Sequence, residues 1–217
     1  MMEFWHLIGR GVDKRDVVVD NHDRLRFVHN LYALNDRNAT PNFVLNVRRE
    51  DYLRVQLVDI HSYCLMENHY HLLVSERIEN GISLFMQKIN MGYTKYFNNR
   101  HERSGALWQG KYRKVLINRD AHFLYIPFYI HLNPLDYETP EWRKGETRNI
   151  GKALKSLLEY RWSSHLDYLG VRNFPSIIRK DVLSPILGTR AEYERTIAEI
   201  IQDSTLAQES EYLEYQS

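Results

Sequence analysis

Two histidines one residue apart, His69 and His71, carry the most chemistry in their spacing of any residues in this 217-residue chain. On a strand, alternate side chains share a face, so the two imidazoles lie side by side while Tyr70 and Leu72 take the other face. Paired imidazoles make half of a divalent-metal site. Ten histidines in the chain make such a pair easy to meet by chance, so its context decides. A third donor must come from another element, because Leu73, next on that face, cannot ligate. Tyr125, Tyr129 and Asn133 recur at steps of four and would set two phenols and an amide on one helix face. A phenol with a pKa of about 10 is a poor nucleophile unless a metal or a positioned base assists it. Helix tyrosines ordinarily pack their rings in the core, and only the combination shifts that reading.

A second group lies in a basic, glycine-punctuated stretch, Arg103-Ser104-Gly105 to Lys111-Tyr112-Arg113-Lys114. Arg103, Lys111, Arg113 and Lys114 are candidates to track phosphates. Trp108 or Tyr112 is a candidate to stack an unpaired base, a contact worth ~1–3 kcal/mol. For Trp108 a core anchor is the preferred alternative. His6, His131 and His165 are reserve ligands or bases, and Trp162 and Ser163 read as packing and capping residues.

Charge supports the polyanion reading weakly. The net charge is +1, but residues 181–217 hold only Arg190 and Arg195 against eight acidic residues, leaving residues 1–180 with a surplus of +7. A basic body attracts phosphates through counterion release. The single cysteine, Cys64, excludes an internal disulfide and a cysteine zinc cage. No apolar run approaches the ~20 residues of a membrane span, and the N-terminus lacks a secretory pattern, so a soluble cytoplasmic protein is expected.

The elements that would position these residues follow from pattern. Phe4 to Gly11 predicts a strand, with Val17-Val18-Val19 as its hairpin partner or a short second strand. Asp20 or Asn21 caps a helix with Phe27, Val28, Leu31 and Leu34 at helical spacing. Strands are predicted over 55–66 and 69–74, joined by a tight turn at Glu67-Asn68, and an amphipathic helix over 81–100. A strand ending at Ile117 precedes a helix capped by Asn118 or Asp120 and stopped near Asn133 by Pro134, with a bend at Pro127. Residues 135–150 read as loop, 151–160 and 190–202 as helices. The fold class is α+β, an antiparallel sheet with helices packed on it. The domain reading is 1–175 as one unit, with 38–54 an insertion, and 176–217 a helical extension with an acidic tail.

Four blocks carry a resemblance to a known family. The string Leu65-Met66-Glu67-Asn68-His69-Tyr70-His71-Leu72-Leu73-Val74 resembles the histidine motif of single-tyrosine HUH transposases. The stretch Arg103-Ser104-Gly105 through Leu107-Trp108-Gln109-Gly110-Lys111-Tyr112-Arg113, the run Tyr129-Ile130-His131-Leu132-Asn133-Pro134 and the run Tyr160-Arg161-Trp162-Ser163-Ser164 are similar to blocks of the REP-associated tyrosine transposase branch. They stand in the family's order over roughly 60–170.

The resemblance implies a ferredoxin-like HUH endonuclease core with both histidines on a central strand. It implies Tyr129 as nucleophile, Asn133 as third metal ligand beside His69 and His71, and Mg²⁺ or Mn²⁺ as cofactor. The implied activity is cleavage and rejoining of single-stranded or hairpin DNA, including palindromic repeats, through a 5′-phosphotyrosine, with a lean toward a monomer. The chain departs from the pattern at Glu67, where many members carry proline, and at Pro127, whose kink would re-aim Tyr129 and makes Tyr125 the runner-up nucleophile. Two other functions compete: a domesticated DNA-binding protein of the same fold, and a metal-dependent nuclease that activates water.

Overall fold

The structure, a computed structural model, describes residues 2–39 and 53–203. Its frame is a four-stranded antiparallel sheet in the order β2-β3-β1-β4, made by β1 (Phe4–Arg10), β2 (Val58–Leu65), β3 (His69–Glu76) and β4 (Arg113–Ile117). With helices α1 (Asn21–Ala33) and α2 (Gly81–Arg100) between strands, the order is βαββαβ, the ferredoxin-like arrangement. The expected α+β class is therefore observed.

Alternation along the strands builds two cores. Leu7, Tyr70, Leu72 and Val74 face α1 and α2, meeting Phe27, Leu31, Ile82, Phe85 and Tyr93. Leu73, Cys64 and Met66 belong to a second core on the opposite face, covered by α3 (Asp120–Leu132), α4 (Ile150–Glu159) and α5 (Arg190–Ile200). α1 begins where Asp20 caps it, its Oδ1 accepting from the amides of His22 and Asp23 at 2.9 and 3.1 Å. The end of α2 is tied to this start: Arg100 bridges Asp20 and the buried Asp23, and His101 Nε2 lies 2.9 Å from Asp23 Oδ2.

At Gly9 the sheet needs a missing side chain. A Cβ there would stand 2.3 Å from the Tyr70 ring, which packs across β1 and donates from its hydroxyl to Asn90 Oδ1 at 3.2 Å. Gly9→Ala is expected to destabilise the protein by about 1–3 kcal/mol, the cost of overpacking a filled core. Chemical denaturation checks this, and an unchanged midpoint would contradict it.

Several expectations are corrected. Val17-Val18-Val19 forms no strand: the amides of Val17 and Val18 both donate to the Glu67 carbonyl at 2.7 and 3.2 Å, and both side chains are buried. Their apolar character serves burial under the β2–β3 turn, not a ladder. α3 starts after Arg119, in extended conformation, and neither Asn118 nor Asp120 is its cap. It runs as one helix through Pro127 to Leu132, because a helix apolar on nearly every side is held by packing that outweighs one lost hydrogen bond. Residues 135–150 are not plain loop but contain two short 3₁₀ helices, Asn133–Tyr137 and Pro140–Lys144.

The stretch beyond 175 is joined to the body. Ile178 bridges to Ile60, the Arg179 amide donates to the Ile60 carbonyl, and two arginines, Arg77 and Arg179, flank the buried Asp59 at 3.2 and 2.9 Å. α5, opened by a capping box between Thr189 and Glu192, sends Tyr193, Ile197 and Ile200 into the second core. Most of the segment read as an insertion, 40–52, lies outside the described residues. Its two shoulders are latched together: the Arg37 amide donates to the Val55 carbonyl at 2.8 Å, and Asn35 Oδ1 accepts from the amides of Leu57 and Val58. From α2, Lys88 Nζ donates to the carbonyls of Asp36, Arg37 and Ala39 at 2.6, 2.8 and 2.6 Å. Among the described residues no helix is long and apolar enough to cross a membrane.

Candidate functional site

β3 sets His69 and His71 on the α3 face of the sheet, ring centroids 4.9 Å apart, with Ile8 opposite His71 and Arg10 opposite His69 on β1. Both rings are sunk, His71 at 1% and His69 at 9% exposure. Their Nδ1 atoms are engaged. His69 Nδ1 lies 2.6 Å from Asn68 Oδ1, and the Asn68 amide is oriented by donating from Nδ2 to the Lys14 carbonyl at 3.2 Å. Asn68 therefore accepts, His69 carries its proton on Nδ1, and its Nε2 holds a lone pair. His71 Nδ1 lies 2.9 Å from His6 Nε2. The Nε2 atoms of both residues are buried with no hydrogen-bond partner among the described residues.

α3 brings the other two. Tyr129 and Asn133, one turn apart, are both fully buried. The Tyr129 ring meets His71 edge-on at 5.5 Å and His6 at 5.9 Å. Asn133, at the C-cap of α3, donates from Nδ2 to the Tyr129 carbonyl at 2.7 Å, which turns its Oδ1 outward. That oxygen accepts from Arg143 Nη2 at 3.1 Å. Arg143 is itself gripped by Asp136 through two bonds of 2.8 and 2.6 Å, and its guanidinium lies 5.6 Å from the Tyr129 ring centroid. Tyr125 is buried in the second core one turn earlier, and the ring that α3 lays against His6 and His71 is that of Tyr129.

Electrostatics keep the imidazoles neutral. Burial first, then the Arg10 and Arg143 charges, hold His69 down at about 3, although the neighbouring Asn133 side chain acts the other way. Burial, with His69, His6 and the same arginines, holds His71 well below the usual histidine range. Burial followed by the Arg113 charge brings His6 to about 3. Neutral imidazole is the ligating form. Two orphaned nitrogens beside an amide oxygen form a mixed nitrogen and oxygen set that suits a hard or borderline divalent cation. Among the described residues no three of His, Cys, Asp and Glu gather into a group that could hold a cation. The nearby arginine charges favour an anion such as phosphate beside it.

The residues read as DNA contacts do not form one surface. Lys111 and Lys114 are exposed, with Lys114 Nζ 3.9 Å from the Trp5 ring centroid, while Arg113 lies on the opposite face of β4, toward His6. Arg103 leans on the Phe97 ring at 5.6 Å and donates to Asn98 Oδ1 at 3.3 Å. Tyr112 is half-buried. Trp108, 8% exposed, is packed among Phe27, Tyr70 and Tyr93, and has no open face for a base. His131 and His165 lie apart from the site in a buried chain with Ser164 and Tyr193.

Sequence reasoning missed Arg10, Arg143 and the orienting role of Asn68, and held His6 only in reserve. Arg10 and His6 needed the β1–β3 pairing, which no local pattern encodes. Arg143 lies in a segment read as loop.

Residues 45–133 match the family model described as "Transposase IS200 like". Among solved structures, one described as "Structure of the REP associates tyrosine transposase bound to a REP hairpin" is similar with 13% identity and a TM-score of 0.48, covering 84% of this chain and 88% of that one. No curated protein matches the sequence.

Proposed function

Because this chain is related to the IS200-like transposases through residues 45–133, we propose that it is a DNA-processing transposase that cleaves and rejoins single-stranded or hairpin DNA through a 5′-phosphotyrosine on Tyr129. The observation that carries the reading is the meeting of two neutral, buried histidines, each with an orphaned Nε2, with the Tyr129 ring 5.5 Å from His71. His69, His71 and Asn133 would hold Mg²⁺ or Mn²⁺, which when bound withdraws charge from a non-bridging phosphate oxygen. Arg10 and Arg143 neutralise phosphate charge as the strand enters. Tyr129 Oη attacks the phosphorus, and the Oη–P bond forms as the bond from phosphorus to the 3′ oxygen breaks. The phenol loses its proton, and the departing strand gains one as a free 3′-hydroxyl. The ester energy is retained, so another 3′-hydroxyl can reverse the step and join a new end without ATP. Arg103, Lys111, Tyr112, Arg113 and Lys114 are the proposed DNA contacts outside the site.

One observation favours a second reading. Tyr129 is fully buried, as a packing tyrosine would be, and a nuclease that activates water needs no phenol. Incubating the chain with 3′-labelled hairpin DNA and Mn²⁺, then resolving the products under denaturing conditions, separates the two. The transposase reading expects a covalent adduct, lost on chelation and retained in Tyr125→Phe. Cleavage without adduct would replace it with the water-activating nuclease.

A further inference from the structure

His6 stands on β1, diagonal to His71 on β3, since the register pairs Ile8 with His71 and His6 with Leu73. The two rings meet through His6 Nε2 and His71 Nδ1 at 2.9 Å, their planes only 18° apart, so the lone pair of one lies along the N–H of the other. One proton lies between them, and the consequences of its placement differ. If His6 donates, neutral His71 must carry its proton on Nε2, and that nitrogen has no lone pair for the site. If His71 donates from Nδ1, its Nε2 keeps a lone pair for the site and His6 carries its own proton on Nδ1. His69 obtains the equivalent arrangement from its sequence neighbour Asn68, whereas His71 obtains it from a strand 65 positions away.

We propose that His6 is a positioning residue: it accepts from His71 Nδ1 and thereby fixes the tautomer and ring plane that turn His71 Nε2 toward the site. This rests on the metal-site reading for its consequence, not for its geometry. His6 also touches the Tyr129 ring at 5.9 Å, so one side chain sets two members of the site. His6 Nδ1 is buried with no hydrogen-bond partner among the described residues, so the proton this arrangement leaves there is unpaired, as the Nε2 proton of His71 would be in the other arrangement. The partner on a histidine's second nitrogen commonly governs how well the first one binds metal.

The test uses the full chain with Mn²⁺ as probe and two variants. His6→Phe keeps a ring and removes the acceptor; His6→Gln keeps an acceptor near the Nε2 position. Ring nitrogen NMR on the metal-free protein, assigned through His71→Gln, should give His71 as the Nδ1–H tautomer in the native chain and in His6→Gln. In His6→Phe the Nε2–H form should appear. Mn²⁺ affinity, from the free-ion spin resonance signal, should fall by about 10–100-fold in His6→Phe and be largely restored in His6→Gln. An Nε2–H His71 in the native chain, or a tautomer unchanged in His6→Phe, would overturn the proposal. Equal weakening in both variants with unchanged tautomer would reduce His6 to packing and overturn it as well. Failure of the native chain to take up Mn²⁺, with the tautomer still set by His6, would instead count against the metal site while supporting the positioning role.

Discussion

Tyr129→Phe is expected to abolish the covalent protein–DNA adduct and lower strand cleavage by about a thousandfold or more, equivalent to about 4 kcal/mol of barrier. The substitution removes one oxygen and leaves the ring. Its edge contacts with His71 and His6 and its approach to Trp142 at 6.4 Å belong to the ring and survive. Folding should change by no more than the loss of a hydrogen bond, about 1 kcal/mol. A large kinetic effect with a near-native melting curve therefore isolates the hydroxyl. Gel analysis of adduct and product, run beside a thermal melt, supplies both numbers. Cleavage at native rate in Tyr129→Phe would remove Tyr129 as nucleophile, and an adduct that moves with Tyr125→Phe instead would assign that role one turn earlier on α3.

The second large effect concerns acid. Burial holds His6, His69 and His165 near 3, keeps His71 and His131 well below the usual histidine range, and also depresses His61. These groups are neutral in the folded chain and regain an ordinary pKa of about 6.5 when it unfolds. Below that value the unfolded chain binds protons that the folded chain refuses, so stability falls as pH falls and is intact above about 6.5. Each such group contributes up to ~1.4 kcal/mol per pH unit across this window. Several together amount to a large share of the total stability of an ordinary domain. Carboxylates act elsewhere in pH: Asp20, depressed chiefly by its hydrogen bonds to Arg100, loses its contribution only below the ordinary carboxylate range. The melting temperature is expected to drop steeply between pH 6.5 and 5 with Asp20 still ionised. Replacing His131 by Gln should flatten the slope by about one proton. A melting temperature level across that range would refute the claim.

What could be read from the sequence follows from the range of the interactions involved. The helix at 81–100 was legible because Ile82, Phe85, Ile89, Tyr93 and Phe97 repeat at helical spacing, and that spacing alone forms the face that meets the sheet. The shared face of His69 and His71 was legible from strand geometry. The four sequence blocks located Tyr129 and Asn133, and the structure brings both beside the histidines. Failures occurred where distant partners decide. Val17 and Val18 answer to the Glu67 carbonyl, whereas Trp108 is the core anchor that was preferred for it, in an aromatic cluster drawn from α1, β3 and α2. The Arg143–Asn133 bond depends on a 3₁₀ helix, for which no sequence period was available.

The ammonium of Lys88, seated on three carbonyls just ahead of residue 40, bears on what holds β2 in place. Together with the Arg37–Val55 bond and the Asn35 amide, it fastens both ends of the 40–52 stretch to α2 and β2 independently of what lies between. The bonds that fix the start of β2 against α1 and α2 therefore draw only on residues outside that stretch, so the register of β2 with β3 does not depend on it.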